Sequence, residues 1–241
     1  MKAILLAAGL GKRLSPITNE IPKCLVPINN RPLLQFWIDL FEFHKIEKIL
    51  INLHHFPDKV KEYISEYNGD IEIKYVFEKK LLGSLGTVLQ NKWFYENERC
   101  FLVCYADNLT NIDLSEIIKY HSSHNQPITM GLFHTNKPEQ CGIAVVNNEM
   151  LITDFIEKPK EPTSNLASAG IFVIEPQLLH SFSFKDENSI LDFGYDLLPQ
   201  LVYRMKGFVI NDYILDIGTL DNLNEANSFV REHTDLFEYP T

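Results

Sequence analysis

Residues 2–11, KAILLAAGLG, determine the first element of the fold. The run from Lys2 to Ala8 is almost wholly apolar, which is typical of a strand buried on both faces. Gly9 and Gly11 then allow a tight turn in which backbone N–H groups can approach an anion closely. The stretch therefore predicts a buried strand followed by a loop suited to phosphate.

Strands and helices alternate through the first half of the chain. Apolar or alternating runs predict strands at 48–53, 71–77 and 100–106, and residues 57–67 predict a helix. Another helix is expected to follow Asn30-Arg31-Pro32, with Asn30 as its N-cap. This alternation with short connections is typical of a parallel sheet flanked by helices.

The second half contains more strands and fewer helices. Strand-like runs occupy 128–133, 142–146, 151–156 and 166–174, and helices are predicted at 190–205 and 221–231. Asn147-Asn148 predicts a hairpin between two of these strands. Neither a linker nor a repeat divides the chain. We expect one domain over 1–241, a Rossmann-like three-layer α/β sandwich with a mainly parallel mixed sheet and added antiparallel strands in the second half.

Composition narrows the function classes. The 241 residues are 45% hydrophobic and 22% charged, which is ordinary for a globular protein, and the net charge of −10 disfavours nucleic-acid binding. Apolar runs fall short of the ~20 residues of a membrane span, and the N-terminal run is too short for a secretory signal. Neither the four cysteines nor the eight histidines have metal-binding spacing, so we expect structural thiols and a reducing cytoplasm.

Positive charge is concentrated around the glycine turn. Residues 1–31 hold five basic residues and one acid, although acids outnumber bases 32 to 22 in the whole chain. A P-loop is excluded because Arg13 follows Lys12, and a dinucleotide fingerprint is excluded because Leu14 stands where its third glycine is needed. A positive patch on a glycine turn of an acidic protein instead favours a polyphosphate ligand.

The same region resembles a known signature. The segments 6–14 and 21–27, LAAGLGKRL and IPKCLVP, are similar to the Gly-x-Gly-x-Arg loop and Pro-Lys of sugar-phosphate nucleotidyltransferases, also called nucleotide-sugar pyrophosphorylases. The resemblance continues in family order through residues 81–87, 105–108, 155–159, 168–172 and 215–219. It is closest to mannose-1-phosphate and heptose-1-phosphate guanylyltransferases.

The resemblance implies a reaction. A sugar 1-phosphate oxygen would attack the α-phosphorus of a nucleoside triphosphate and release pyrophosphate. The expected substrates are GTP and a manno-configured hexose or heptose 1-phosphate. It also implies a nucleotide-binding half at 1–110 and a sugar-phosphate-binding half at 111–241. Positioning and charge neutralisation do most of the work in such transfers, so cations are required.

The resemblance assigns roles to particular residues. Arg13, Lys23 and Asp107 are expected to be catalytic, and Asp107 and Asp216 to hold Mg²⁺, which commonly takes one or two carboxylates together with substrate phosphates. The nucleotide-binding residues would be Ala8, Gly9, Leu10, Gly11, Arg13, Lys23, Leu82, Gly83, Gly86 and Asp107. The sugar phosphate would be bound by Gly142, Glu157, Lys158, Asn165 and Gly170.

Alternatives remain at this point. A cytidylyl- or thymidylyltransferase for another phosphorylated acceptor would carry similar loops. A non-catalytic nucleotide-sugar sensor would be expected to have lost Arg13, Lys23, Asp107 or Asp216, and all four are present. Few residues follow Arg231, so no second catalytic domain is expected, and a homo-oligomer is possible from the resemblance alone.

Overall fold

The computed structural model describes residues 1–184, 186 and 189–239. Two compact units are formed. Unit 1 consists of Met1–Leu81, Cys104–Asp113 and the chain from Asp212 onward, and unit 2 consists of Leu82–Val103 and Leu114–Asn211. The expected single domain with a boundary at residue 110 stays a prediction.

The regular elements alternate as α/β folds do. The strands are β1 Lys2–Leu6, β2 Pro27–Ile28, β3 Arg31–Pro32, β4 Lys48–Leu53, β5 Glu72–Phe77, β6 Phe101–Tyr105, β7 Asn108–Thr110, β8 Ile128–His134, β9 Gly142–Val146, β10 Ile152–Glu157, β11 Leu166–Ile174, β12 Met205–Val209 and β13 Ile214–Asp216. The α-helices are α1 Leu33–Phe43, α2 Pro57–Ser65, α3 Ser84–Gln90, α4 Lys92–Tyr95, α5 Leu114–Ser122 and α6 Leu220–Glu232. The strand expected at 48–53 is confirmed residue for residue by β4.

Parallel strands bring several loops of unit 1 to one edge. β1 pairs with β4 and β4 with β5, all parallel, in a register that sets Leu6 beside Asn52 and Leu53 beside Phe77. The central residues of β1 and β4 are fully buried, which explains their apolar sequence. The carboxyl ends of parallel strands are where α/β folds bind ligands, and the glycine turn leaves β1 at that edge.

Asn30 does not cap α1, contrary to the sequence expectation. Asn29 and Asn30 both have positive φ, 48° and 66°, and join β2 to β3 as a two-residue hairpin. Asparagine tolerates this left-handed backbone better than most residues, so the same chemistry that suits a cap also suits this turn. α1 begins at Leu33 instead.

Unit 2 has the antiparallel strands expected of the second half. β11 pairs antiparallel with β8 and β9, β9 pairs antiparallel with β10, and β12 lies parallel to β8. The side chain of Asn147 accepts a hydrogen bond from the Leu151 N–H and closes the predicted β9–β10 hairpin. The expected fold class, a three-layer α/β fold with a mainly parallel mixed sheet and added antiparallel strands, is confirmed.

The prediction of a long helix at 190–205 is wrong. The chain forms a π-helical turn at Phe193–Leu197 and a 3₁₀ turn at Leu198–Leu201, and then enters β12. Pro199 lies within the 3₁₀ turn, and proline inside a helix removes a hydrogen bond and clashes with the preceding turn. The helix expected at 221–231 is confirmed as α6. Over the described part of the chain, no helix is long and apolar enough to cross a membrane.

Candidate functional site

Four charged side chains from distant parts of unit 1 converge. Nζ of Lys23 lies 2.9 Å from Oδ2 of Asp107 and 2.9 Å from Oδ1 of Asp216. Nη2 of Arg13 lies 3.7 Å from Oδ2 of Asp216. We call Arg13, Lys23, Asp107 and Asp216 the charge cluster. All four were singled out from the sequence, and the structure brings them together.

Exposure differs within the charge cluster. The side chain of Lys23 is 9% exposed, whereas that of Asp216 is 45% and that of Arg13 is 65% exposed. Burial lowers the pKa of Lys23, but the facing carboxylates outweigh burial, so the pKa is raised and the ammonium stays charged. Burial and repulsion from Asp107 raise the pKa of Asp216, against the opposing effect of Lys23 and Arg13. A buried cation thus holds two partly exposed carboxylates.

Local backbone geometry places the two carboxylates. Asp107 follows β6, and its C=O accepts a hydrogen bond from the Ile217 N–H at 3.0 Å. Asp216 ends β13, which pairs antiparallel with β7 and sets Asp216 beside Asn108. At Gly218 an added Cβ would lie 2.8 Å from the Arg13 guanidinium and 2.9 Å from the Asp216 carboxylate. A side chain at position 218 would therefore require the guanidinium or the carboxylate to move from its present position.

The glycine loop is anchored at one end and open at the other. Gly11 has φ of +63°, and an added Cβ would lie 2.7 Å from Cγ2 of Thr18. The Thr18 hydroxyl donates to the Gly11 C=O at 2.8 Å. A Cβ at Gly9 would meet nothing within 4 Å, so the loop faces open space there, between the buried Ala8 and the half-buried Leu10. A ligand can approach the backbone at Gly9.

In unit 2, the loop that is expected to pack against the nucleotide base, residues 82–86, is held by hydrogen bonds to residues 191–192. Gly83 has φ of +80°, and its open face lies against the Leu191 backbone. The Gly86 N–H donates to the Leu191 C=O, and the Leu191 N–H donates to the Leu82 C=O. The side chain of Asp192 accepts hydrogen bonds from both the N–H and the hydroxyl of Ser84, each at 3.0 Å. The loop 82–86 is therefore fixed by residues 191–192.

A carboxylate in unit 2 is surrounded by glycines. Glu157 pairs with Gly142 across β9 and β10, and an added Cβ at Gly142 or Gly194 would run into the Glu157 carboxylate. Nζ of the exposed Lys158 lies 3.8 Å from Oε1 of Glu157. Burial raises the pKa of Glu157, Lys158 opposes the increase, and Asp192 adds to it. We call Glu157, Lys158, Gly142 and Gly194 the glycine-walled group.

The two remaining sugar-phosphate candidates lie in β11 and directly before it. Gly170 has φ of +64° in the irregular part of β11, between the register positions Ser168 and Phe172. The side-chain oxygen of Asn165 lies 3.2 Å from Nδ1 of His134. Sequence reasoning missed Gly194 and Asp192, although the Asp-Phe-Gly triplet at 192–194 is a visible break in the helix pattern expected there.

The charge cluster suits a divalent cation that comes with its own ligands. Among the described residues, no three His, Cys, Asp or Glu side chains form a metal-binding group. The carboxylates of Asp107 and Asp216 nevertheless converge on a single cation, the Lys23 ammonium. Mg²⁺ is commonly held by one or two carboxylates together with substrate phosphates and water. The donor set therefore fits Mg²⁺ bound with a phosphate ligand.

A phosphate-suited loop, a cation held by two carboxylates and an α/β fold together characterise one class of protein. The chain belongs to the nucleotidyl transferase family, whose family model matches residues 2–233. The resemblance inferred from the sequence, and with it the expectation of a nucleotidyltransferase enzyme, is confirmed.

Two curated relatives are similar over most of the chain. The low-salt glycan biosynthesis nucleotidyltransferase Agl11 of Haloferax volcanii is 30% identical over 98% of this chain and 68% of its own length. The D-glycero-alpha-D-manno-heptose 1-phosphate guanylyltransferase of Campylobacter jejuni is 28% identical over 90% of this chain and 95% of its own length. A solved Bacillus anthracis structure, assigned to the glucose-1-phosphate thymidylyltransferases and containing sucrose, is 24% identical, covers 96% of both chains and has a TM-score of 0.85, which shows the shared fold.

Proposed function

We propose that this enzyme joins GTP and a manno-configured hexose or heptose 1-phosphate to give a GDP-sugar and pyrophosphate. The observation that supports this best is the charge cluster, in which Lys23 lies 2.9 Å from both Asp107 and Asp216. The choice of base and sugar rests on similarity to the Campylobacter jejuni guanylyltransferase, which the chain matches over 95% of that protein's length.

The nucleotide-binding residues expected from the sequence fall into two groups. Gly9, Leu10 and Gly11 would present backbone N–H groups to the triphosphate, with Arg13 on the pyrophosphate side and Lys23 at the α-phosphate. Leu82, Gly83 and Gly86 would pack against the base, with Ala8 also in contact with the nucleotide. The backbone of this loop is preorganised by its hydrogen bonds to residues 191–192, so little ordering is needed on binding.

The sugar phosphate would be bound by the glycine-walled group together with Gly170 and Asn165. Lys158 would meet the phosphate, and Glu157 would accept hydrogen bonds from sugar hydroxyls. Gly142 and Gly170 would bring backbone groups close to the sugar. The acceptor oxygen forms a bond to the α-phosphorus as the bond from that phosphorus to the β-phosphate bridging oxygen breaks, and pyrophosphate leaves with the electron pair.

Asp107 and Asp216 would hold Mg²⁺, which when bound supplies neutralisation of the charge that collects on the phosphates. Lys23 would then turn its ammonium from the carboxylates toward the α-phosphate. Because the side chain is already buried and charged, this exchange needs no change of its protonation. Arg13, which is mostly exposed, is able to follow the departing pyrophosphate.

Pyrophosphate release with a panel of nucleoside triphosphates and sugar 1-phosphates tests the proposal. We expect turnover with GTP and a manno-configured acceptor to exceed all other pairs, and an Asp216→Asn preparation, purified in the same way, to give only background. Turnover with CTP or dTTP would move the assignment to a cytidylyl- or thymidylyltransferase. Nucleotide-sugar binding without turnover would indicate a sensor and would contradict the proposed reaction.

Three further expectations belong to the same proposal. The enzyme is expected to act in the cytoplasm and to have neither nucleic-acid nor membrane partners. It is also expected to form a homo-oligomer, which sedimentation of the purified chain at micromolar concentration tests.

A further inference from the structure

A buried asparagine fixes the start of the glycine loop. Asn52 is 4% exposed and lies beside Leu6, the last residue of β1, in the parallel pairing of β1 with β4. The N–H of Ala7, the first residue after β1, donates to Oδ1 of the Asn52 side chain at 2.7 Å. The carboxamide therefore accepts a backbone donor at the point where β1 ends and the loop begins.

The other end of this carboxamide is also held. Nδ2 of Asn52 donates to Oε1 of Glu78 at 2.9 Å, and Glu78, which follows β5, is 6% exposed. Nδ1 of His54, just after β4, is 2.8 Å from the Glu78 C=O. A chain of contacts thus runs across the carboxyl ends of β1, β4 and β5, from the Ala7 N–H through Asn52 to Glu78.

Asparagine has the two functions that this position needs. Its oxygen accepts from a backbone N–H while its nitrogen donates to a carboxylate, and no single rotatable hydroxyl or charged carboxylate offers both groups in one plane. A buried N–H that loses its acceptor costs free energy and moves to find another partner. Loss of Asn52 would therefore disturb Ala7, one residue before Ala8 and two before Gly9.

We propose that Asn52 is a positioning residue for nucleotide binding, which sets the direction of the Ala7–Gly9 backbone through one hydrogen bond and is itself oriented by Glu78. The inference rests on the proposed function, because it takes the glycine loop as the triphosphate site. It assigns to Asn52 an effect on the nucleoside triphosphate that is separate from any effect on the sugar phosphate.

Steady-state kinetics of Asn52→Ala test this assignment. We expect KM for the nucleoside triphosphate to rise about tenfold, because a misplaced loop weakens binding at a distance from the mutation, while KM for the sugar phosphate changes less than about twofold. Thr129→Ala is the matched control: Thr129, in β8, is 0% exposed, and its hydroxyl lies 2.9 Å from Nδ1 of His121 and 2.9 Å from Nε2 of His124. A structural loss alone would move both variants alike.

Asn52→Asp tests the contact with Glu78 and serves if the alanine variant does not fold. Two facing carboxylates share a proton when the pH is low enough, and repulsion and burial raise the pKa of such a pair. The shared proton replaces the donor that Asn52 supplies. KM for the triphosphate in Asn52→Asp should therefore approach the wild-type value at about pH 6 and rise well above it at about pH 8, a change that wild type does not show.

The outcomes separate two failures. If wild type gives no turnover with any triphosphate, the proposed function is wrong, and the same variants are then compared by calorimetric binding of GTP. If wild type is active and Asn52→Ala raises the triphosphate KM no more than Thr129→Ala does, Asn52 is not a positioning residue. A KM of Asn52→Asp that is raised equally at both pH values contradicts its orientation by Glu78.

Discussion

The charge cluster of unit 1 and the glycine-walled group of unit 2 use opposite means to prepare a site. In the charge cluster, Lys23 is bonded to two carboxylates, so each charge has an opposite charge beside it before any ligand arrives. In the glycine-walled group, the Glu157 carboxylate occupies space that is free because Gly142 and Gly194 have no side chains. The first site would exchange partners on binding, whereas the second would accept a ligand into a shape already formed.

The difference predicts which mutations matter at each place. A site built from charge should fail when a charge is removed and tolerate small changes of volume. A site that depends on free space, such as the glycine-walled group, should lose binding when a methyl group is added. It should tolerate more change in the charges at its edge. The expected effects below follow that contrast, beginning with the largest.

Removing charge from the charge cluster is expected to have the largest effect. Lys23→Ala and Asp107→Ala should each reduce kcat by about 10²–10³-fold, the usual cost of removing one group that stabilises transition-state charge. Lys61→Ala is the matched control, because Nζ of Lys61 also lies 2.9 Å from a carboxylate, that of Asp58, but on the exposed surface of α2. Wild-type kcat in both cluster variants would contradict the assigned site.

Adding a methyl group to the glycine-walled group comes second. Gly194→Ala should raise KM for the sugar phosphate about tenfold, because the new Cβ displaces the Glu157 carboxylate and a small misplacement weakens binding. KM for the triphosphate should change little. Gly207→Ala in β12, whose Cβ would meet the Leu132 side chain of β8 instead, controls for the general cost of crowding. Equal changes in both Michaelis constants would show that this group does not select the acceptor.

The smallest expected effect is on stability and depends on pH. Lys23→Met leaves Asp107 and Asp216 facing each other, which should lower the free energy of unfolding by about 1 kcal/mol near pH 7, a modest value because both carboxylates are partly exposed. Burial and repulsion from Asp107 raise the pKa of Asp216, so the penalty exists when Asp216 is ionised and disappears as the pH falls below the ordinary Asp pKa. Urea unfolding at about pH 7 and about pH 4 measures this change. The same deficit at both pH values would contradict the ion-pair account.

Local sequence patterns predicted the strands well and the turns less well. β4 was recognised because four of its six residues are apolar, a run that is typical of a strand between two neighbouring strands. Asn30 and the 190–205 run were misread because each pattern suits two structures and distant contacts decide between them. The Leu191 C=O accepts a hydrogen bond from the Gly86 N–H, and a helix beginning at 190 would have used that C=O internally.

The residues of the charge cluster were predicted from the sequence, but local sequence patterns did not predict which of them contact each other. Asp216 meets Lys23 through a side-chain bond across 193 positions of sequence, because β13 pairs with β7. No short-range pattern encodes such a pairing, and only the resemblance to a family brought the four residues together in advance. Gly194 escaped notice because its role depends on Glu157, a neighbour visible only in the folded chain.

Calorimetric titration with GTP, with and without Mg²⁺, tests the central idea most directly. The carboxylates of Asp107 and Asp216 are proposed to receive the metal that arrives with the triphosphate. Wild type should therefore bind GTP about tenfold or more tightly when Mg²⁺ is present, and a variant combining Asp107→Asn with Asp216→Asn should bind it equally with or without the metal. The same dependence on Mg²⁺ in the variant as in wild type would contradict the account.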